Sequence, residues 1–169
     1  MVVLETSKGR IVLETDPDNA PNTAENFEAY VRDGFYDGLI FHRVISNFMI
    51  QTGGFGPDME PRKPGEPIQN EADNDLSNKR GTIAMARTMS PHTASSQFFI
   101  NVNDNGFLDH TAKTQDGWGY CVFGRVVEGM DVVDSIREVP TTARAGHRDV
   151  PVDDIVIHEA RIADDEGAS

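Results

Sequence analysis

Cysteine is almost missing from this chain of 169 residues, since Cys121 is the only one. A single thiol cannot form a disulfide within the chain, which excludes the small secreted folds that depend on several disulfides. Long apolar runs are also missing, because no stretch approaches the roughly 20 apolar residues of a membrane-spanning helix. The first residues also lack a basic segment followed by an apolar one. We therefore expect a protein of the cytoplasm that does not act in a membrane.

Positive charge is scarce as well. The chain has 28 Asp and Glu residues against 15 Lys and Arg residues, and its formal net charge is -13. A surface with this excess of carboxylates repels nucleic-acid backbones and anionic lipid heads. No two of the five histidines stand at the spacing of a metal site, and no cysteine pair can join them. These absences argue against nucleic-acid binding and predict an activity without metal or cofactor.

Alternation of apolar and polar side chains predicts a protein built mainly of β-strands. Residues 2–6 and 11–15 alternate on either side of a break at residues 7–9, which predicts a hairpin. The same reasoning predicts strands at residues 41–50, 82–86, 97–102, 122–127 and 155–162.

Two helices are expected between these strands. Apolar residues three and four apart, with Thr23 as the N-cap and Gly34 at the end, predict the first helix. Residues 130–136 predict the second. Strands resume directly after the first helix, so we expect the helices to cap a rolled antiparallel sheet.

The chain length fits one domain over residues 1–163, followed by a disordered acidic tail over residues 164–169. The proline-rich segment of residues 55–80 predicts a long ordered loop on the surface. Such a loop is either a plain spacer or a border of a binding site.

One arginine lies inside the densest apolar segment of the sequence. Arg43 is surrounded by Phe41, Val44, Ile45 and Phe48, and a guanidinium group is rarely buried without a partner. Three interpretations of Arg43 are open. It forms a structural ion pair, or its aliphatic stem packs while its guanidinium group reaches water, or it serves a binding site. Apolar side chains and the Gln51 amide follow within a few residues, which favours the third interpretation.

Three segments around this arginine carry a family pattern in one order. They are Phe41-His42-Arg43-Val44-Ile45 with Phe48-Met49-Ile50-Gln51 and Gly53-Gly54, then Ser96-Gln97-Phe98-Phe99-Ile100, then Phe107-Leu108-Asp109. With these segments the chain resembles the cyclophilin peptidyl-prolyl isomerases, and residues 118–124 are most similar to the short cytoplasmic cyclophilins of bacteria. The resemblance implies an eight-stranded antiparallel closed β-barrel capped by two α-helices.

The resemblance also implies the reaction and its residues. The expected activity is rotation about Xaa-Pro peptide bonds in proline-containing peptides and folding proteins, performed by a monomer without a cofactor. The implied catalytic residues are Arg43, Phe48 and Gln51. The implied substrate-binding residues are Met49, Ala86, Arg87, Gln97, Phe99, Phe107, Leu108 and Tyr120.

Three positions depart from the common pattern of that family. Phe107 stands where many cyclophilins have tryptophan, Tyr120 where many have histidine, and Arg87 where many have asparagine. Because Arg43 is retained, the resemblance predicts an active enzyme. The departures predict weak binding of cyclosporin-like cyclic peptides.

Two other functions compete with this interpretation. The chain could be a proline-peptide binding module or chaperone whose turnover is incidental. A lipocalin-like carrier barrel is a third possibility, but it needs a roomy lumen, and the bulky alternating side chains predict a filled one.

Overall fold

The computed structural model describes residues 1–163, so the predicted tail over residues 164–169 lies outside the described residues. Two α-helices are present, α1 (Pro21–Arg32) and α2 (Met130–Arg137). Neither helix is long and apolar enough to cross a membrane. The strands are β1 (Val2–Thr6), β2 (Gly9–Thr15), β3 (Phe41–Ile45), β4 (Met49–Thr52), β5 (Phe55–Gly56), β6 (Glu60–Pro61), β7 (Thr82–Met85), β8 (Phe98–Asn101), β9 (Val122–Glu128), β10 (Thr141–Arg144), β11 (His147–Pro151) and β12 (Ile157–Ile162).

Eight of these strands form one antiparallel sheet in the order β12-β1-β2-β9-β7-β8-β4-β3. The sheet curls strongly, and its two edges meet next to β3 and β12 at an isolated bridge between Ile40 and Val156. Helix α1 packs against β12 and β9, while α2 packs against β2, β3 and β4. The predicted mainly-β fold with two helices is confirmed. The difference is that one bridge, and not a full ladder, joins the two edges.

Side chains on the inner face of the curled sheet fill its interior. Alternate residues of each strand point inward, and Leu4, Ile11, Leu13, Phe98 and Phe123 are fully buried there in one cluster. Ring pairs such as Phe27 against Phe98, with centroids 5.0 Å apart, attach helix α1 to the sheet. This packed interior argues against the lipocalin-like alternative.

The prediction of one strand over residues 41–50 is wrong, because the segment folds into the hairpin β3–β4. The Phe48 N–H donates to the Ile45 carbonyl at 2.9 Å and closes a turn. The register shifts by one residue between Phe41 and Arg43, which leaves His42 as the extra residue of a β-bulge. Bulges redirect side chains, and here His42 is buried while Arg43 is exposed.

The prediction of Thr23 as the N-cap of α1 is also wrong. The helix begins at Pro21, and Ala20 occupies the N-cap position. The methyl side chain of Ala20 cannot accept a hydrogen bond from the helix. Instead Glu71, from the long loop, accepts the Thr23 N–H at 2.7 Å and the Thr23 hydroxyl at 2.6 Å. A carboxylate at a helix N-terminus is favourable, so the loop of residues 55–80 fastens this end of the helix.

Candidate functional site

A row of paired residues crosses five strands on the outer face of the sheet. Arg43 on β3 pairs with Gln51 on β4, which pairs with Phe99 on β8. Phe99 pairs with Ala84 on β7, and Ala84 pairs with Val122 on β9. Paired residues point to the same face, so one cation and one amide lie beside an aromatic ring. The small, fully buried Ala84 lies next to that ring.

A second apolar cluster forms around this row, separate from the barrel core. Its buried members are Met49, Ala84, Phe99, Leu108 and Val122. Because side chains alternate along a strand, Ile50 and Phe98 face the interior while Met49 and Phe99 face this outer cluster. The outer cluster therefore builds a site without drawing on the core.

A cavity of about 210 Å³ opens into the outer cluster. Its lining residues are Arg43, Phe48, Met49, Gln51, Ala86, Arg87, Phe99, Leu108 and Tyr120. The structure thus brings together nine of the eleven site residues implied by the sequence. The volume lies below the range of about 300–1,000 Å³ for drug-sized ligands, which suits one small ring.

The buried Asn105 and the half-buried Asp109 hold the segment that contributes Leu108 to this cavity. The Asn105 amide donates to the Phe48 carbonyl at 2.8 Å and links the β3–β4 turn to the short 3-10 helix Gly106–Leu108. Burial alone would raise the pKa of Asp109, but the Ser77 hydroxyl and the Asn78 N–H groups donate to its carboxylate and hold the pKa below its usual value. Asp109 stays ionised and fixes the segment after Leu108.

Arg43 carries an uncompensated charge at the mouth of the cavity. It is exposed, and within residues 1–163 it forms no ion pair. The structural ion-pair interpretation is therefore wrong for the described residues. None of its guanidinium N–H groups is hydrogen-bonded within residues 1–163, so they are available to a bound molecule.

Gln51 and Gln97 connect the cavity to a second, smaller one. The Gln51 amide donates to the Gln97 side-chain oxygen at 2.9 Å, and not to Arg43. Gln97 packs directly on Gly54, where any Cβ would overlap the Gln97 amide. The second cavity, of about 180 Å³, is lined by Gln51, Ala86, Arg87, Thr88, Thr93, Ser95 and Gln97.

Phe107 is the one implied site residue that lines neither cavity. Its side chain is 76% exposed, and its ring lies 5.6 Å from the ring of Phe48. It therefore forms an apolar rim next to the cavity.

Sequence reasoning missed His42 as a neighbour of the site. Its ring packs against Phe55 with centroids 4.7 Å apart, and its Nδ1 finds no hydrogen-bond partner among the described residues. Burial, together with the charges of His147 and Arg43, lowers the pKa of His42 to about 4, although Gln97 partly opposes the shift. The imidazole is thus neutral at physiological pH. The position of His42, directly before Arg43 in an apolar segment, was the sequence signal that could have identified it as a neighbour of the site.

A larger groove of about 640 Å³ lies elsewhere, and Glu14, Asp16, Asp18 and Asp75 are among its lining residues. Its one arginine, Arg125, is paired with Glu14 at 3.0 Å. Lys79 also lines this groove, but it lies among four carboxylate residues, whereas the cavity beside Arg43 has an apolar wall and no lining carboxylate. The smaller cavity therefore remains the better candidate.

Comparisons with known proteins agree with this choice. Residues 1–162 match the family model described as cyclophilin type peptidyl-prolyl cis-trans isomerase. A peptidyl-prolyl cis-trans isomerase of Streptomyces antibioticus is 63% identical over 161 residues, covering 95% of this chain and 97% of the relative. Peptidyl-prolyl cis-trans isomerase B of Escherichia coli is 53% identical over 164 residues, covering 97% of this chain and 100% of the relative.

Solved structures show the same architecture. A cyclophilin type peptidyl-prolyl cis-trans isomerase of Cryptosporidium parvum, crystallised in the presence of the dipeptide Ala-Pro, superposes with a TM-score of 0.80. It is 27% identical, and the match covers 97% of this chain and 99% of that one.

Proposed function

The chain belongs to the cyclophilin-type peptidyl-prolyl cis-trans isomerases, and on that basis we propose that its activity resides in the cavity beside Arg43. The observation that carries the proposal is an arginine at the mouth of a small apolar cavity that forms no ion pair within residues 1–163. We assign Phe48, Met49, Phe99 and Leu108 to holding the proline ring. We also assign residues 1–163 to one isomerase domain.

Rotation about the peptide bond breaks no covalent bond. The barrier of about 18–20 kcal/mol is the lost resonance of the C–N bond. A barrier of about 20 kcal/mol corresponds to roughly 0.01 turnovers per second, so a typical enzyme must bind the twisted state preferentially by roughly 4–7 kcal/mol. Neither a nucleophile nor a metal is needed for this.

Arg43 supplies the preferential binding in this proposal. As the bond twists, the proline nitrogen loses conjugation and gains a lone pair, which a guanidinium N–H can bind. The planar ground state offers no such acceptor, so the hydrogen bond favours the transition state. The apolar walls keep water away from that nitrogen. Gln51, whose amide is held by Gln97, has a second N–H for a substrate carbonyl.

Nuclear magnetic resonance tests the proposal directly. We expect catalytic amounts of the protein to broaden the separate cis and trans signals of a short peptide with one Ala-Pro bond. The same peptide with alanine in place of proline should show no exchange. In a labelled sample, peptide-induced shifts should centre on Met49, Gln51, Phe99 and Leu108. Shifts at these residues without exchange broadening would instead indicate a proline-peptide binding module.

Phe107 predicts weak binding of cyclosporin-like cyclic peptides. Its ring lies on the rim of the cavity and lacks the indole N–H of the tryptophan that many cyclophilins have there. A lost hydrogen bond to a buried acceptor costs about 1–3 kcal/mol, so Phe107→Trp should tighten cyclosporin binding by about one to two decades. Calorimetric titration measures the gain, and isomerase assays on the same samples should change less.

A control variant separates the position from the indole itself. Val152 is 50% exposed and lies outside both cavities, so Val152→Trp adds an indole to the surface without affecting the inhibitor. Equal affinities of the wild type and Phe107→Trp would remove Phe107 from the inhibitor contact.

The clients proposed for this enzyme are unfolded and folding proteins with exposed Xaa-Pro bonds. We further propose that it acts as a monomer in the cytoplasm. Large apolar side chains exposed within residues 1–163 are few, namely Met89, Phe107, Val127 and Val152, which supports a monomer because stable interfaces need larger apolar patches. Light scattering of the purified protein measures its oligomeric state and checks that it is a monomer.

A further inference from the structure

The second cavity has a different chemistry from the proline cavity that it adjoins. The two cavities share Gln51, Ala86 and Arg87. Beyond these shared residues, the second cavity is lined by the polar residues Thr88, Thr93, Ser95 and Gln97. An extended peptide advances about 3.3–3.6 Å per residue, so a side chain within three residues of the proline can enter it.

Arg87 is held rigidly on the boundary between the two cavities. Its Nε donates to the Gly119 carbonyl at 2.9 Å, and its Nη1 donates to the Thr88 carbonyl at 2.8 Å. Its guanidinium also lies over the ring of Tyr120, 4.5 Å from the centroid. An arginine has five N–H donors. The two on Nη2 make no hydrogen bond within residues 1–163, so they remain for a ligand.

The partners of Arg87 leave its charge uncompensated. They are backbone carbonyls and an aromatic ring, whereas most other arginines of the described chain pair with carboxylates, as Arg80 does with Asp134 at 2.7 Å. The residues that line the two cavities include Arg43 and Arg87 but no Asp or Glu. In a chain of net charge -13, this site is a local cationic patch.

We propose that Arg87 makes this isomerase selective for proline peptides that carry a carboxylate side chain, Asp or Glu, within three residues of the proline. The inference rests on the proposed function of the first cavity. The carboxylate binds the free Nη2 of Arg87 from the second cavity. A fixed, charge-assisted hydrogen bond of this kind gives specificity through geometry.

A set of paired peptides tests the selectivity. Each pair has Glu or Gln at one position within three residues of a single proline, and kcat/KM is measured at fixed ionic strength. At one position we expect the wild type to favour Glu over Gln by about 3- to 10-fold. In Arg87→Gln the Glu/Gln ratio should fall to about one. Repulsion of the Glu peptide by the acidic surface enters the ratio of both proteins alike, so it cancels when the wild-type ratio is divided by that of Arg87→Gln.

Arg125→Gln is the matched control, because it removes the same charge from a surface pair outside both cavities and should keep the wild-type ratio. A ratio near one at every position in the wild type, or a preference that survives in Arg87→Gln, would overturn the inference. If no proline peptide is turned over by the wild type, the proposed function itself fails.

A measurement on the wild type tests the selectivity even if the Arg87→Gln variant does not fold. The Arg87 Nε–H is hydrogen-bonded to Gly119, so its resonance should be observable. It should shift on titration with the preferred Glu peptide and much less with the Gln peptide. Equal shifts with both peptides would count against the proposal regardless of the variant.

Discussion

Arg43→Ala should lower kcat/KM by about 100- to 1,000-fold and leave the protein folded. That loss is typical of deleting one donor that acts on the transition state. The folded state should hardly respond, because Arg43 is exposed and forms no ion pair within the described residues. Its removal opens no core cavity. Protease-free isomerisation assays and thermal melts of the same samples measure the two effects separately.

Two companion variants sharpen this test. Arg43→Lys keeps the charge but loses the planar fork of donors, so we expect it to recover only part of the activity. Arg125→Ala removes an arginine from an exposed pair outside both cavities and should keep both activity and stability. If Arg43→Ala unfolds, or retains nearly full activity, Arg43 has a structural role and the proposed mechanism fails.

His42 should make the stability of the protein fall steeply between pH 6.5 and pH 4. Burial lowers the pKa of His42 from 6.5 to about 4 in the folded state. In this window the unfolded chain takes up a proton that the folded chain does not, so acid favours unfolding. The full stability is present above pH 6.5 and is lost progressively as the pH falls towards 4. A shift of this size corresponds to about 3 kcal/mol.

Urea unfolding of the wild type and of His42→Gln at pH 7, 6, 5 and 4 measures this contribution. Carboxylates also titrate in acid, but they are common to both proteins, so the difference between the two curves isolates His42. We expect the wild type to lose about 3 kcal/mol more than the variant. His42→Leu packs differently but should follow the same pH dependence as His42→Gln. Parallel curves for the wild type and both variants would show that His42 titrates normally.

Much of the site could be predicted because its residues are close together in the sequence. Residues 48–51 and 97–99 lie on, or directly before, the neighbouring strands β4 and β8, so a short motif already contains most of one wall. Periodicity alone could not separate site from core, because Met49 and Ile50 are both apolar and buried. Only the family resemblance distinguished Phe99, which faces the cavity, from Phe98, which faces the interior.

The errors arose where distant or weak signals decide the structure. The turn that divides residues 41–50 contains Ser46 and Asn47 but no glycine or proline, so the usual turn signal was missing. The cap of α1 comes from Glu71, 48 residues beyond Thr23, which local reasoning cannot find. The hairpin β10–β11 was not anticipated, because β10 is largely exposed and lacks apolar alternation.

Four of the five strands that carry the row of site residues lie inside the sheet, and only β3, which carries Arg43, is an edge strand. β4 lies between β3 and β8, and β8 lies between β4 and β7. Their amide hydrogens should therefore exchange with solvent only when the barrel itself opens, as slowly as any in the protein. The backbone of β4 and β8 therefore stays in place during catalysis. Accommodation of different client sequences must come from side-chain rotamers and from the connections at residues 87–95 and 105–109, where amide exchange should be faster.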